Sequence, residues 1–132
     1  MKIISEVIVE ADGYIDSTLV FVDKPISFLG MVKPKEGIVD LDGEKIYVAG
    51  KVLAFPYMVG STVAPYVIYE MKKNKKAPSA MITSRADALL ASGCAVSDIP
   101  LFVVDEKIFN DLRRYNNKKV KIDGKNGAIE IE

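Results

Sequence analysis

Histidine is absent from this chain, cysteine occurs once, at position 94, and there is no tryptophan. Without histidine the chain cannot by itself assemble a Ser-His-Asp triad or a zinc site of the usual kinds, and it lacks the imidazole that a phosphotransfer domain ordinarily phosphorylates. A single cysteine excludes an internal disulfide and a four-cysteine iron–sulfur site, so any metal must come from another chain. Flanked by Gly93 and Ala95, Cys94 is expected to be a small buried residue rather than a nucleophile, in a protein of a reducing interior. Long apolar runs are also missing. No continuous segment approaches the roughly 20 residues that span a membrane, and the start, Met1-Lys2-Ile3-Ile4-Ser5-Glu6, alternates like a strand instead of resembling a signal peptide. Charge of one sign is not in excess, because 18 basic residues balance 18 acidic ones. Nucleic acid is therefore not an expected partner. The basic cluster Lys72, Lys73, Lys75 and Lys76 has no aromatic residues interleaved and suits the end of a helix, where positive charge complements the dipole. A soluble, cytoplasmic protein is expected.

What is present suffices for a folded domain. Apolar residues make up 49% of the 132 positions and charged residues 27%, which places the chain outside the disordered class and gives it a core of its own. The first half is β-rich, with strand-prone runs at 2–9, 17–22, 27–31, 37–41 and 45–55, separated by Asp12-Gly13, Lys24-Pro25, Pro34 with Gly37, and Asp42-Gly43. After position 61 the pattern alternates: a helix to about 74, a strand at 79–83, a helix at about 85–92 ended by Gly93, a strand at 101–104, a helix at 106–115 and a hairpin from 118–122 and 128–131. With no repeat, low-complexity tract or linker, residues 1–132 are expected to form a single domain. Its class is α/β, a β-rich, barrel-like first half packed with an α/β second half. Ser84 is expected to cap the helix after it, Gly30 to relieve a strand bulge, and Arg113 and Arg114 to be surface charges; Arg85 has a capping-turn and a ligand reading. Tyr14, Tyr47 and Tyr115 are taken as packing residues.

The segment that points to chemistry is Phe55-Pro56-Tyr57-Met58-Val59-Gly60-Ser61-Thr62-Val63-Ala64-Pro65. An apolar strand ends at Pro56, Gly60 permits a backbone conformation that a β-carbon resists, and Ser61 or Thr62 can cap a helix whose first turn tolerates Pro65. Such a turn aims amides and the positive end of a helix at whatever lies above it, which favours a carboxylate, a phosphate or a developing oxyanion. Most Gly-Ser-Thr turns are caps and nothing more, so the turn alone does not decide between structure and catalysis.

An ordered set of short motifs does more. Segments 27–30, 37–40, 50–56, 60–63, 66–70, 77–80, 86–93 and 98–101, including Gly60-Ser61-Thr62-Val63, Tyr66-Val67-Ile68-Tyr69-Glu70 and Asp98-Ile99-Pro100-Leu101, together resemble the small, swivel-domain subunits of the aconitase X group, the archaeal phosphomevalonate dehydratases. The resemblance runs from about position 17 to 101. It implies a swivelling β/β/α domain and a hydro-lyase active only with a large subunit. That subunit would carry a 4Fe-4S cluster, whose exposed iron acts as Lewis acid on the leaving hydroxyl, and this chain would bind none. The reaction implied is dehydration of (R)-5-phosphomevalonate to trans-anhydromevalonate 5-phosphate in an archaeal mevalonate pathway for isoprenoids. In that family the serine after the glycine is the proposed proton acceptor, which matches Ser61, and Gly60 and Thr62 match the positions that hold a substrate oxygen. The chain departs from the pattern at Met58 and Val59, where family members commonly carry a glycine and a basic residue, and at Ala64-Pro65, where they carry a small Gly-Ser pair. The departure leaves open how a phosphate would be bound. Two other readings stay open beside this one: a dehydratase subunit for a related hydroxy acid, and a non-catalytic module that only binds an anion or small ligand.

Overall fold

The computed structural model describes residues 1–60 and 62–132. The chain opens on one extended run broken at the buried Ser5, giving β1 (Lys2–Ile4) and β2 (Glu6–Val9). The long strand β3 (Tyr14–Phe21) follows, then a short helix α1 (Phe28–Met31). A small antiparallel sheet comes next, made of β4 (Val32–Lys33), β5 (Ile38–Leu41) and β6 (Glu44–Tyr47). Two strand–helix–strand units succeed it: β7 (Val52–Ala54), α2 (Ala64–Lys73), β8 (Ala80–Thr83), α3 (Ala88–Val96) and β9 (Leu101–Val103). Helix α4 (Glu106–Asp111) tightens into a 3-10 turn at Leu112–Tyr115, and the hairpin β10 (Lys119–Asp123) and β11 (Ala128–Ile131) ends the chain.

Eight strands form one sheet in the order β1-β11-β10-β3-β7-β8-β9-β2. Its two edge strands are consecutive halves of the segment around Ser5, so the sheet curls into a nearly closed barrel and leaves little unpaired edge. Ser5 marks the change of partner: its amide and its hydroxyl both donate to the Gly127 carbonyl, at 2.9 and 2.8 Å. Strand β3 changes partner in the same way, pairing antiparallel with β10 through Tyr14 to Thr18 and parallel with β7 from Leu19 to Phe21.

Period-two alternation sorts the core into two layers. Val52, Ala54, Ala80, Ile82 and Phe102 point into the barrel with Leu19, Val120, Ile122 and Ile129, and Phe109 and Leu112 of the α4 region pack onto the same cluster. The alternate residues Leu53, Phe55, Met81 and Leu101 face the other way, against Ile68 and Met71 of α2 and Leu90 and Cys94 of α3. Strands buried on both faces read as continuous apolar runs, as 52–55 and 80–82 do.

The mixed α/β, strand-rich class agrees with expectation, but the two halves are not separate layers. Strand β3 from the first half lies between β10 and β7 in the common sheet. Several local expectations are corrected. Residues 28–31 form α1 rather than a strand, so Gly30 relieves no bulge. The run at 45–55 is broken at Gly50, whose φ of +72° turns the chain from β6 into β7. Helix α3 continues past Gly93 to Val96, because Gly93 is a contact residue: a β-carbon there would lie 2.9 Å from Ile68 Cδ1 and 3.1 Å from Pro65 Cα. Asp87, not Ser84, caps α3, its Oδ1 accepting from the Leu90 amide at 2.9 Å. Tyr14 and Tyr47 are exposed rather than packed, whereas Tyr115 lies against the barrel cluster. Arg113 is an exposed charge as expected, paired with Asp23 at 2.7 Å.

Candidate functional site

Strands β3, β7, β8 and β9 are parallel, so the loops after their carboxyl ends gather at one edge, where ligands of open parallel sheets bind. The loop after β7 is held there from both sides. On one side the Ile26 amide donates to the Tyr57 carbonyl at 3.1 Å and the Val59 amide to the Ile26 carbonyl at 3.0 Å. On the other, the Pro56 carbonyl accepts from the Ser84 amide at 3.0 Å, the Ser84 hydroxyl at 2.8 Å and the Arg85 amide at 3.3 Å. Ser84, expected as a cap, is thus a tie between two loops. Phe55 and Met58, both buried, anchor the loop in the core.

Gly60 has a φ of +113°, and a β-carbon on it would lie 3.0 Å from Ser27 Oγ. The dihedral requires glycine, being strained for any L side chain, and the approach to Ser27 is tight enough that its hydroxyl would have to give way to a β-carbon. The same hydroxyl lies 3.6 Å from where a Gly30 β-carbon would be, so Ser27 sits between the two glycines and makes no capping bond to α1. The expectation of a strand at 27–31 misses this hydroxyl; its signal, a serine near Gly30 but 33 residues from Gly60, becomes visible only when the loops meet. Thr62 is exposed beside Gly60. Ser61, expected as the proton acceptor, lies outside the described residues. Of the two expected caps of α2, Thr62 is not the N-cap, a position that Val63 holds, and Ser61 lies outside the described residues. Pro65 does occupy the first turn, and Lys72 and Lys73 the last.

The loop after β8, tied to this one at Pro56, brings a charged side chain against it. The Arg85 guanidinium lies 3.8 Å over the ring of Tyr57 and, among the described residues, forms no ion pair. Beside it is a small cleft of about 130 Å³ lined by Tyr57, Met58, Arg85, Ala86 and Asp87. A larger cleft of about 620 Å³ shares none of these residues, and its Arg113 is committed to Asp23.

The residues of this chain do not fit an iron–sulfur cluster. Cys94 is fully buried against Met81, its Sγ 3.7 Å from the thioether sulfur, and burial pushes its thiol up to about 12, the reverse of what a thiolate ligand needs. Among the described residues no three cysteine or carboxylate side chains gather closely enough to hold a metal ion. Among the described residues no helix is long and apolar enough to cross a membrane.

Comparison with known proteins finds the same fold. A family model described as the aconitase X swivel domain matches residues 3–131. The chain is 43% identical over 124 residues to the phosphomevalonate dehydratase small subunit of Thermococcus kodakarensis, spanning 90% of this chain and 89% of that one. It is 38% identical over 125 residues to the protein of the same name from Methanococcoides burtonii, spanning 92% and 90%. The crystal structure of Thermococcus kodakaraensis aconitase X in its holo-form superposes with a TM-score of 0.87 at 38% identity, covering 100% of this chain and 98% of that one. A solution NMR structure of a UPF0107 protein gives 0.85 at 32% identity, over 100% and 99%. Identity of this order along nearly the full length of both sequences, carried on one architecture, leaves a single assignment: this chain belongs to the aconitase X swivel-domain family.

Proposed function

We propose that this chain, a single swivel domain over residues 1–132, is the small subunit of a cytoplasmic heteromeric hydro-lyase. It dehydrates (R)-5-phosphomevalonate to trans-anhydromevalonate 5-phosphate in the mevalonate route to isoprenoids. Relatives named phosphomevalonate dehydratase small subunit, aligned along nearly the whole chain, support the activity and the partner. The observation that carries the site is the Gly60 turn, held at the carboxyl edge of the parallel strands with a glycine-only dihedral and Ser27 against it.

Ser61 follows Gly60 in the chain and is the proton acceptor in this reading. A serine alkoxide takes the proton from the carbon next to the substrate carboxylate and becomes the serine hydroxyl, the carbon–oxygen bond on the neighbouring carbon breaks as a double bond forms between the two carbons, and the proton passes on to the departing hydroxide, which leaves as water and restores the alkoxide. An alkoxide is costly at neutral pH and needs the first turn of α2, neighbouring amides or a cation to hold its charge. The backbone of Gly60 and Thr62 holds a substrate oxygen. The 4Fe-4S cluster belongs to the large subunit, since no residue set here suits it, and supplies a Lewis acid where it is bound.

The large subunit docks over this edge. Leu29 of α1, Val59 and Val63 of the Gly60 loop and Tyr66 of α2, exposed to 60, 41, 37 and 75%, belong to the loop and to the helices that flank it, an apolar set suited to burial in a subunit interface. Within the purified heteromer, Ser61→Ala is expected to lower kcat by about 10²- to 10⁴-fold, the range for a lost general base, with subunit stoichiometry unchanged. Turnover within a few-fold of the parent would remove Ser61 from the mechanism. Affinity for the substrate in the small chain alone, without turnover in the complex, would favour a binding module.

A further inference from the structure

We propose that Arg85, braced on the ring of Tyr57, is the residue of this chain that binds the phosphate of the substrate. The proposal rests on the hydro-lyase reading for its choice of a phosphate monoester; the geometry itself calls for a compact dianion.

Four observations converge. The Gly60 turn brings no cation of its own: Met58 is buried and Val59 is apolar. Arg85 is brought beside that turn by the Pro56 carbonyl, which accepts from both the Ser84 and the Arg85 amides, so the guanidinium is carried by the same clamp that fixes the loop. Its guanidinium carbon lies 3.8 Å from the centroid of the Tyr57 ring, a contact that orients an exposed side chain. Finally, its N–H donors have no carboxylate partner among the described residues. Asp87 lines the same cleft, but its Oδ1 is taken by the Leu90 amide as the cap of α3. A planar guanidinium with free donors, pre-oriented on an aromatic face, matches the bidentate geometry of a phosphate better than a lysine would. The cleft of about 130 Å³ beside it has room for a terminal group, not for a whole extended substrate. This arrangement puts the phosphate at the Arg85 end and the reacting carbons toward Gly60.

The test uses the purified heteromer carrying Arg85→Gln or Arg85→Lys. Arg85→Gln is expected to raise KM for phosphomevalonate by about 10- to 100-fold with kcat changed less than threefold, and to abolish competitive inhibition by inorganic phosphate; Arg85→Lys should recover part of both. An unchanged KM would overturn the proposal, and so would an unchanged KM with weakened subunit assembly, which would make Arg85 an interface residue. If the parent heteromer does not turn over phosphomevalonate, the hydro-lyase reading fails first. Calorimetric titration with inorganic phosphate then decides Arg85 separately, with at least tenfold weaker binding in Arg85→Gln supporting it and equal binding refuting it.

Discussion

At Gly60 the loop after β7 packs against the side chain of Ser27 in the loop after β3, so that a β-carbon would lie 3.0 Å from its hydroxyl oxygen. Gly60→Ala should therefore destabilise the protein by about 1–2 kcal/mol, from the dihedral alone, and lower the midpoint of thermal unfolding. It should lower activity more than stability, because displacing this turn moves the residue proposed as the base. A variant with parental kcat would separate the turn from the chemistry. Cys94 gives a second residue-level test. Its thiol is held up to about 12, above its ordinary 9.0, by burial. The folded state therefore keeps a proton that the unfolded state releases, and this contribution to stability is full below pH 9 and is lost as pH rises toward 12. Cys94 should accordingly resist a thiol reagent at pH 8 in the folded protein and react on addition of denaturant; rapid labelling of the native protein would contradict the burial.

The contact between α2 and α3 is made at Gly93, where a methyl group would meet Pro65 backbone and Ile68 side chain. Gly93→Ala is expected to push the helices apart at a cost of about 1–3 kcal/mol, read as a lower urea midpoint at constant m-value. Since Pro65 belongs to the first turn of α2, activity should fall with it. From sequence this glycine looks like a stop signal, because a glycine after an apolar helical run is usually one. What distinguishes it is a neighbour on another helix. The same limit explains 28–31: four residues cannot show a helical period, and apolar Phe28 and Leu29 suit a strand equally well. The long elements were legible: α2 shows a helical period in Val63, Tyr66, Val67 and Met71, although its buried face is Ala64, Ile68 and Met71 with Val63 and Tyr66 exposed, and β8 reads as an unbroken buried run. In the site, Gly60 and its turn were legible as local chemistry. Ser27 and the tie from Ser84 to Pro56 were not, being contacts between loops.

For the whole molecule, closure of the sheet through β1 and β2 makes a rigid barrel whose loops at one edge meet a partner. The continuous apolar runs at 52–55 and 80–82 foretell buried strands, yet closure depends on which strands pair, and nothing local in residues 2–9 states that they bridge both edges. If the exposed apolar set of Leu29, Val59, Val63 and Tyr66 is the docking face, Leu29→Asp with Tyr66→Glu should raise the dissociation constant of the heteromer at least tenfold while leaving the fold of this chain intact, because both side chains are exposed in it. Unchanged assembly would move the interface to another face. The most direct measurement is anaerobic turnover of (R)-5-phosphomevalonate by this chain, by the large subunit, and by the two purified together. The account predicts loss of water from the substrate only with both chains present. Equal turnover by the large subunit alone, or none by an intact complex with its cluster in place, would contradict it.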